Sequence, residues 1–186
     1  RRHAMQQTMA GIDRATRLVD QMLRLARLDP LARLPAPQKV DLCELAGDVA
    51  AITKDAMPEA DIALDVPAGE VPIDGDPGLL EIALRNLLDN AARYSPAGSA
   101  ITVFLSKRSG ELRLGVRDSG PGVSPPELPR LIERFYRGSG TTAEGSGLGL
   151  TIVRRIAELH GASLELRNRE DAGRVVGFEA CLRWDR

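Results

Sequence analysis

The chain has 186 residues, 43% of them hydrophobic and 27% charged, enough for one compact domain with a small appendage and too apolar for a disordered or fibrous protein. Its 25 Lys and Arg against 26 Asp and Glu leave a formal charge of −1, so no net positive field exists to hold a nucleic-acid backbone or an anionic membrane face. Cys43 and Cys181 lie far apart on apolar stretches, which argues against a disulfide framework or a metal site and predicts two reduced core residues of a cytosolic protein.

The opening Arg1-Arg2-His3 lacks the apolar core of a signal peptide, and no apolar run approaches the roughly 20 residues of a bilayer span. The chain starts in mid-pattern without Met, as expected of a soluble piece whose sensing and membrane parts, if any, lie outside it. Met5, Met9, Ile12, Thr16, Val19, Leu23 and Ala26 recur at alternating steps of four and three, the seam of a long helix from Met5 to Leu28. Ala15, Leu18, Met22 and Leu25 widen that face beyond a two-helix contact, as in a bundle. Asp29-Pro30 ends the helix, and Pro35 and Pro37 stiffen a connector. Three segments follow from this: a helix over 1–30, a linker over 31–38 and a globular domain over 39–186.

Within the globular part, Leu42–Met57 has helical periodicity and Ile62–Val66 alternates as a half-buried strand does. Asp76-Pro77 is an N-cap with proline at the first helical position, opening a helix to about Arg93. Ile101–Leu105 and Leu112–Val116 read as strands joined by a turn at Arg108-Ser109-Gly110. The stretch Asp118–Gly147 is rich in Gly, Pro and Ser, with only Pro126–Phe135 helical in appearance; so long a segment in a compact domain suggests a functional lid. Leu148–His160 is a helix ended by Gly161, and Ser163–Leu166 and Val175–Leu182 are closing strands. Strands and helices that do not alternate strictly predict a two-layer α/β sandwich, a mixed sheet covered by helices on one face.

Three places carry candidate chemistry. Asn86, Asn90 and Arg93 share one face of the helix from Asp76, opposite Leu80, Leu84, Leu87 and Leu88. Taken alone they read first as a plain solvated face, but Asn is a mediocre helix former, and two amides in one turn beside a guanidinium suit Mg²⁺ with phosphate nearby. Asp118-Ser119-Gly120-Pro121-Gly122 directly follows a strand. It is either a simple turn or a carboxylate placed to accept a hydrogen bond from the exocyclic amine of adenine, which would select ATP over GTP. Gly145-Ser146-Gly147-Leu148-Gly149-Leu150 runs into a helix, whose unpaired amides and dipole favour phosphate. No Lys-Ser/Thr follows it as in a P-loop, and Leu150 stands where a dinucleotide fingerprint needs Gly or Ala.

In this order the residues resemble the sensor histidine kinases, within the wider group of ATPases that includes gyrase, Hsp90 and MutL. Asn86-Leu87-Leu88-Asp89-Asn90-Ala91 looks like the N box, Asp118–Gly122 like the G1 box, Glu133-Arg134-Phe135-Tyr136-Arg137 like the F box and Gly145–Leu150 like the G2 box. Gly11–Val19 with Leu25–Leu28 resembles the family's second dimerisation helix. Arg93-Tyr94-Ser95-Pro96 and Leu159-His160-Gly161 bring the chain nearest to the QseC-like, quorum-sensing branch. The resemblance implies a Bergerat-type ATP-binding fold, with ATP and Mg²⁺ as ligands and Asn86 and Asn90 on the metal. Arg93 and Arg137 would approach phosphates, Tyr94 would border the nucleotide, and Asp118, with Gly120 and Gly122 beside it, would read adenine. Gly145, Ser146, Gly147, Leu148, Gly149 and Leu150 would take the phosphate tail, and Val123–Ser146 would form the lid, packed down by Phe135. It implies transfer of the γ-phosphate to a histidine of its own dimerisation domain, in a homodimer, and relay to a response regulator, in the cytoplasmic portion of an inner-membrane kinase. The family's His-Glu-Leu-Arg-Thr-Pro segment is missing: His3-Ala4-Met5-Gln6 differs from it, and His160, just before a helix-ending Gly, reads as structural. The piece should therefore bind ATP without phosphorylating itself.

Overall fold

A computed structural model describes residues 37–108, 110–137 and 146–185; the expected helix Met5–Leu28 lies outside the described residues, as does nearly all of its connector. The elements in chain order are β1 (Gln38–Asp41), α1 (Leu42–Ala56), β2 (Asp61–Asp65), β3 (Pro72–Gly75), α2 (Pro77–Tyr94), β4 (Ala100–Arg108), β5 (Glu111–Arg117), a 3-10 helix (Leu128–Ile132), α3 (Gly149–Leu159), β6 (Ser163–Asp171) and β7 (Arg174–Asp185).

The principal sheet runs β2-β4-β5-β7-β6. Its β2–β4 pair is parallel and the other pairs are antiparallel, so it is the mixed sheet expected from sequence. Ile101, Val103 and Leu105 of β4, Leu112, Leu114 and Val116 of β5, and Leu182 and Trp184 of β7 join one core with Leu84 and Leu88 of α2 and Ile152 and Ile156 of α3. The alternate residues face the other way, where polar groups dominate. There Glu179, 3% exposed, sits between Arg117 Nε at 2.8 Å and an Arg167 terminal nitrogen at 2.7 Å, and the Arg117 guanidinium lies 3.9 Å from the Phe104 ring centre.

Helix α2 begins where its chemistry says it should. Asp76 accepts the Leu79 amide on Oδ1 at 3.0 Å, Pro77 occupies the first turn, and the buried stripe Leu80, Leu84, Leu87, Leu88 and Ala91 meets the sheet. Its start is also tied to α3. The Asp76 amide donates to His160 Nε2 at 3.0 Å while His160 Nδ1 donates to the Ile156 carbonyl at 2.7 Å. Both ring nitrogens of this buried histidine are thus occupied, in keeping with a structural role.

Several expectations need correction. The helix expected over Pro126–Phe135 is only the 3-10 helix, because Pro129 lacks the amide with which an α-helix begun at Pro126 would make its first i→i−4 bond. Strands β1 and β3, four residues each, were not expected; they pair antiparallel with each other apart from the main sheet, and β1 starts inside the supposed linker. Strand β6 runs on to Asp171, well beyond the expected Ser163–Leu166, and β7 spans Arg174–Asp185 in place of Val175–Leu182. Cys43 is only partly buried, packed against the core with its Sγ 3.7 Å from the Pro67 carbonyl, whereas Cys181 is buried on the polar face of the sheet beside Glu165, where burial pushes its thiol up to about 12.

Candidate functional site

Three segments remote in sequence meet around one cavity of about 230 Å³, floored by Val116, Phe178 and Ala180 of the sheet. Asn86, Asn90, Arg93 and Tyr94 of α2 form one wall, Gly120 and Gly122 of the loop after β5 a second, and Ser146, Gly147, Gly149 and Leu150 a third; Arg137 also lines it. The structure therefore brings together almost all the residues singled out from sequence. Leu148 is fully buried and acts as the cap residue of α3 rather than as lining, and Gly145 lies outside the described residues. Phe135 does not line the cavity and is 55% exposed among the described residues; residues 138–145 of the lid it was expected to pack lie outside them. What ties this stretch to the glycine loop is backbone. The Phe135 amide donates to the Gly147 carbonyl at 3.0 Å, with Phe135 itself at φ +64°. Gly147, at φ +68°, has the Phe135 backbone 2.7 Å from where a Cβ would stand, so no side chain fits there.

Asp118 is 7% exposed at the foot of the cavity. Its Oδ1 accepts the amides of Gly120 at 2.7 Å and Phe178 at 3.1 Å. No described residue bonds Oδ2, which is left for a ligand donor. Burial raises the carboxyl above the ordinary aspartate value, against the opposing pull of the two amides and of Arg169.

On α2, Asn86 donates Nδ2 to the Ile82 carbonyl at 2.8 Å, and its Oδ1 is turned to the Gly149 side, 3.2 Å from where a Cβ of Gly149 would stand. Asn90 lies 3.9 Å from the same point. The amide oxygen of Asn86 thus faces the first turn of α3, whose backbone amides have no helical partners. An oxygen donor opposite an anion-attracting helix end fits a hard cation bridging to phosphate.

Sequence reasoning assigned no role to Asp89 or Glu127, which line the cavity, nor to Tyr136 beyond its place in a motif. Glu127 accepts hydrogen bonds from the Ser124 and Tyr136 hydroxyls, and Arg130 stacks 4.1 Å over the Tyr136 ring. The Ser-x-x-Glu spacing of a capping box was the available signal.

Residues 75–184 match the family of histidine kinase-, DNA gyrase B- and HSP90-like ATPases. The sensor protein QseC of Salmonella typhi is 48% identical over 183 residues, covering 97% of this chain and 39% of that protein. The chain thus spans about two fifths of that relative's length. Among solved structures, the cytoplasmic segment of histidine kinase QseC is similar at a TM-score of 0.63 and 37% identity over 93% of each chain. Full-length ShkA in complex with AMPPNP is similar at a TM-score of 0.79 and 28% identity, over 99% of this chain and 38% of ShkA.

Proposed function

We propose that this chain, which belongs to the histidine kinase-, DNA gyrase B- and HSP90-like ATPase family, is the ATP-binding catalytic part of a sensor histidine kinase of the QseC-like branch. The observation that carries this reading is the convergence in one cavity of the amide and guanidinium face of α2, the buried carboxylate of Asp118 and the glycine-rich entry to α3. Adenine would lie against Val116 and Phe178 with its exocyclic amine donating to Asp118, and the phosphates would extend toward Gly147–Leu150. Asn86 and Asn90 would hold Mg²⁺, whose charge offsets that of the phosphates. Arg93 and Arg137 add positive charge along the same wall. Transfer forms a bond between the γ-phosphorus and an imidazole nitrogen of a separate dimerisation domain and breaks the bond to the β-phosphate oxygen, releasing ADP. A response regulator then receives the phosphoryl group, and the whole enzyme works on the cytoplasmic side of the inner membrane. A neutral imidazole attacks without first losing a proton. The amide of Asn86, unlike a carboxylate, could not activate water in its place, which favours transfer over an ATP-driven clamp.

Incubated with labelled Mg²⁺-ATP, the chain alone should stay unlabelled; mixed with a separate dimerisation domain carrying a His-Glu-Leu-Arg-Thr-Pro segment, it should label that domain. Labelling should be slow and rise with acceptor concentration, because no tether holds the two pieces together. Asn90→Ala should abolish it. Alkali-stable label on the chain itself would show that it carries its own acceptor.

A further inference from the structure

The loop Asp118–Val123 is held from outside the cavity by the β6–β7 hairpin, and the residue that does most of the holding lines no part of the site. At the start of the loop, the Asp118 amide donates to the Phe178 carbonyl at 2.9 Å, and an Arg169 guanidinium nitrogen reaches the Asp118 carbonyl at 2.9 Å. At its end, Asn168 makes two bonds to one residue: its Oδ1 accepts the Val123 amide at 2.8 Å and its Nδ2 donates to the Val123 carbonyl at 2.7 Å. A carboxamide carries one donor and one acceptor side by side, so it matches the two polar groups of a single backbone unit as a strand neighbour would. Aspartate could satisfy only the amide, and alanine neither.

Asn168 is paired with Phe178 in the β6–β7 register, so both anchors of the loop stand on one row of the sheet. The fit between is close. Asn168 Oδ1 lies 2.7 Å, and Val175 Cγ1 2.4 Å, from where a Cβ of Gly122 would be, and the Asp118 carbonyl lies 1.9 Å from the corresponding point on Gly177. A loop pinned at both ends has little freedom to change depth, and its depth decides whether the Gly120 amide stays on Asp118 Oδ1 and keeps that carboxylate dry.

We infer that Asn168 is a positioning residue for base specificity: by fixing Val123 it holds the Gly120–Gly122 backbone against Asp118, so that the free carboxylate oxygen is presented to an exocyclic amine and not to a carbonyl. The inference rests on the nucleotide reading above. Without the clamp, the loop lifts, water reaches Asp118, and a hydrated, mobile carboxylate discriminates less between a donor and an acceptor on the base.

The test is competition of Mg²⁺-ATP and of Mg²⁺-GTP against a fluorescent adenine nucleotide, for the wild-type chain, Asn168→Ala and Asn168→Asp, with melting curves for each. Asn168→Ala should lower the ATP-to-GTP preference about tenfold, the change expected when roughly one buried hydrogen bond's discrimination is lost. Asn168→Asp, nearly isosteric, should lower it in the same direction although the packing is kept. A lower melting temperature with an unchanged preference in either variant would make Asn168 a merely structural residue and overturn the inference while leaving nucleotide binding intact. Should Asn168→Ala fail to fold, the preference of Asn168→Asp decides alone. A wild-type chain that binds neither nucleotide would overturn the functional reading itself, and the inference with it.

Discussion

At the scale of single residues, Asp118 shows how a site can work against the stability of its own fold. A raised carboxyl pKa in the folded state means that the stability it contributes is fully present below the unfolded value and is lost as pH rises through the folded one. The fold holds this group more easily protonated, whereas the ionised form is the one that offers adenine a charge-assisted acceptor. Asp118→Asn should weaken ATP binding at least tenfold, since a charge-assisted bond is worth ~1.5–3 kcal/mol. The same change should leave the nucleotide-free chain melting no lower than wild type. As pH falls, wild-type ATP affinity should start to drop at a higher pH than an ordinary aspartate would dictate, while the Asn variant shows no such limb. Calorimetric titration at successively lower pH checks all but the melting, and an acid limb persisting in Asp118→Asn would move the titrating group elsewhere.

At the scale of elements, α2 unites stability and function on opposite faces, with its leucines in the core and Asn86, Asn90 and Arg93 at the cavity. Its start lies more than two turns from Asn86, so the cap can be weakened without touching the site. Asp76→Ala removes the side-chain acceptor for the Leu79 amide and should cost ~1 kcal/mol, or about 2–4 °C in melting temperature. The His160 contact survives, because it uses the backbone amide of residue 76. ATP affinity measured well below the transition should be unchanged, and a matching loss of affinity would mean that the whole helix shifts with its cap. The contact between Phe135 and Gly147 belongs to this scale as well. It joins the stretch that carries Phe135 to the glycine-rich entry of α3 through main-chain atoms alone.

Across the whole molecule, the sheet divides two environments. Phe178 and Ala180 floor the cavity, while Glu179 between them points to the far face and its arginines. The arginines are partly exposed and can turn to water, but the carboxylate is buried and cannot. Glu179→Gln keeps the shape and removes the charge that the guanidinium groups of Arg113, Arg117 and Arg167 share. It should lower stability by ~1.5–3 kcal/mol, the usual value of hydrogen bonds to charged groups, and leave ATP affinity within about twofold, because residue 179 faces away from the site. Thermal melts and titrations on the same preparation separate the two effects; a large affinity loss would show that strain crosses the sheet.

The sequence by itself determined those features whose causes lie within a turn or two of chain. Helix α2 was legible from its Asp-Pro start and leucine spacing, α3 from its apolar period and terminal glycine, and the mixed sheet from the order of the elements. About half of the lining could be named in advance, because the glycines, the paired asparagines and the post-strand aspartate are local signals of backbone approach and polar grouping, whereas the apolar floor of Val116, Phe178 and Ala180 could not. What only the tertiary structure decided depends on partners far apart in the chain. Strands β1 and β3 exist because each supplies the other's hydrogen bonds. The polar end of β6, Arg167–Asp171, is a strand because it pairs with the start of β7, on an edge where no apolar alternation is required. Asn168 clamps a backbone unit 45 residues away, which nothing in its own neighbourhood announces. A side chain's period and propensity are written in its near neighbours, whereas its hydrogen-bond partner is chosen by the packing of the whole chain.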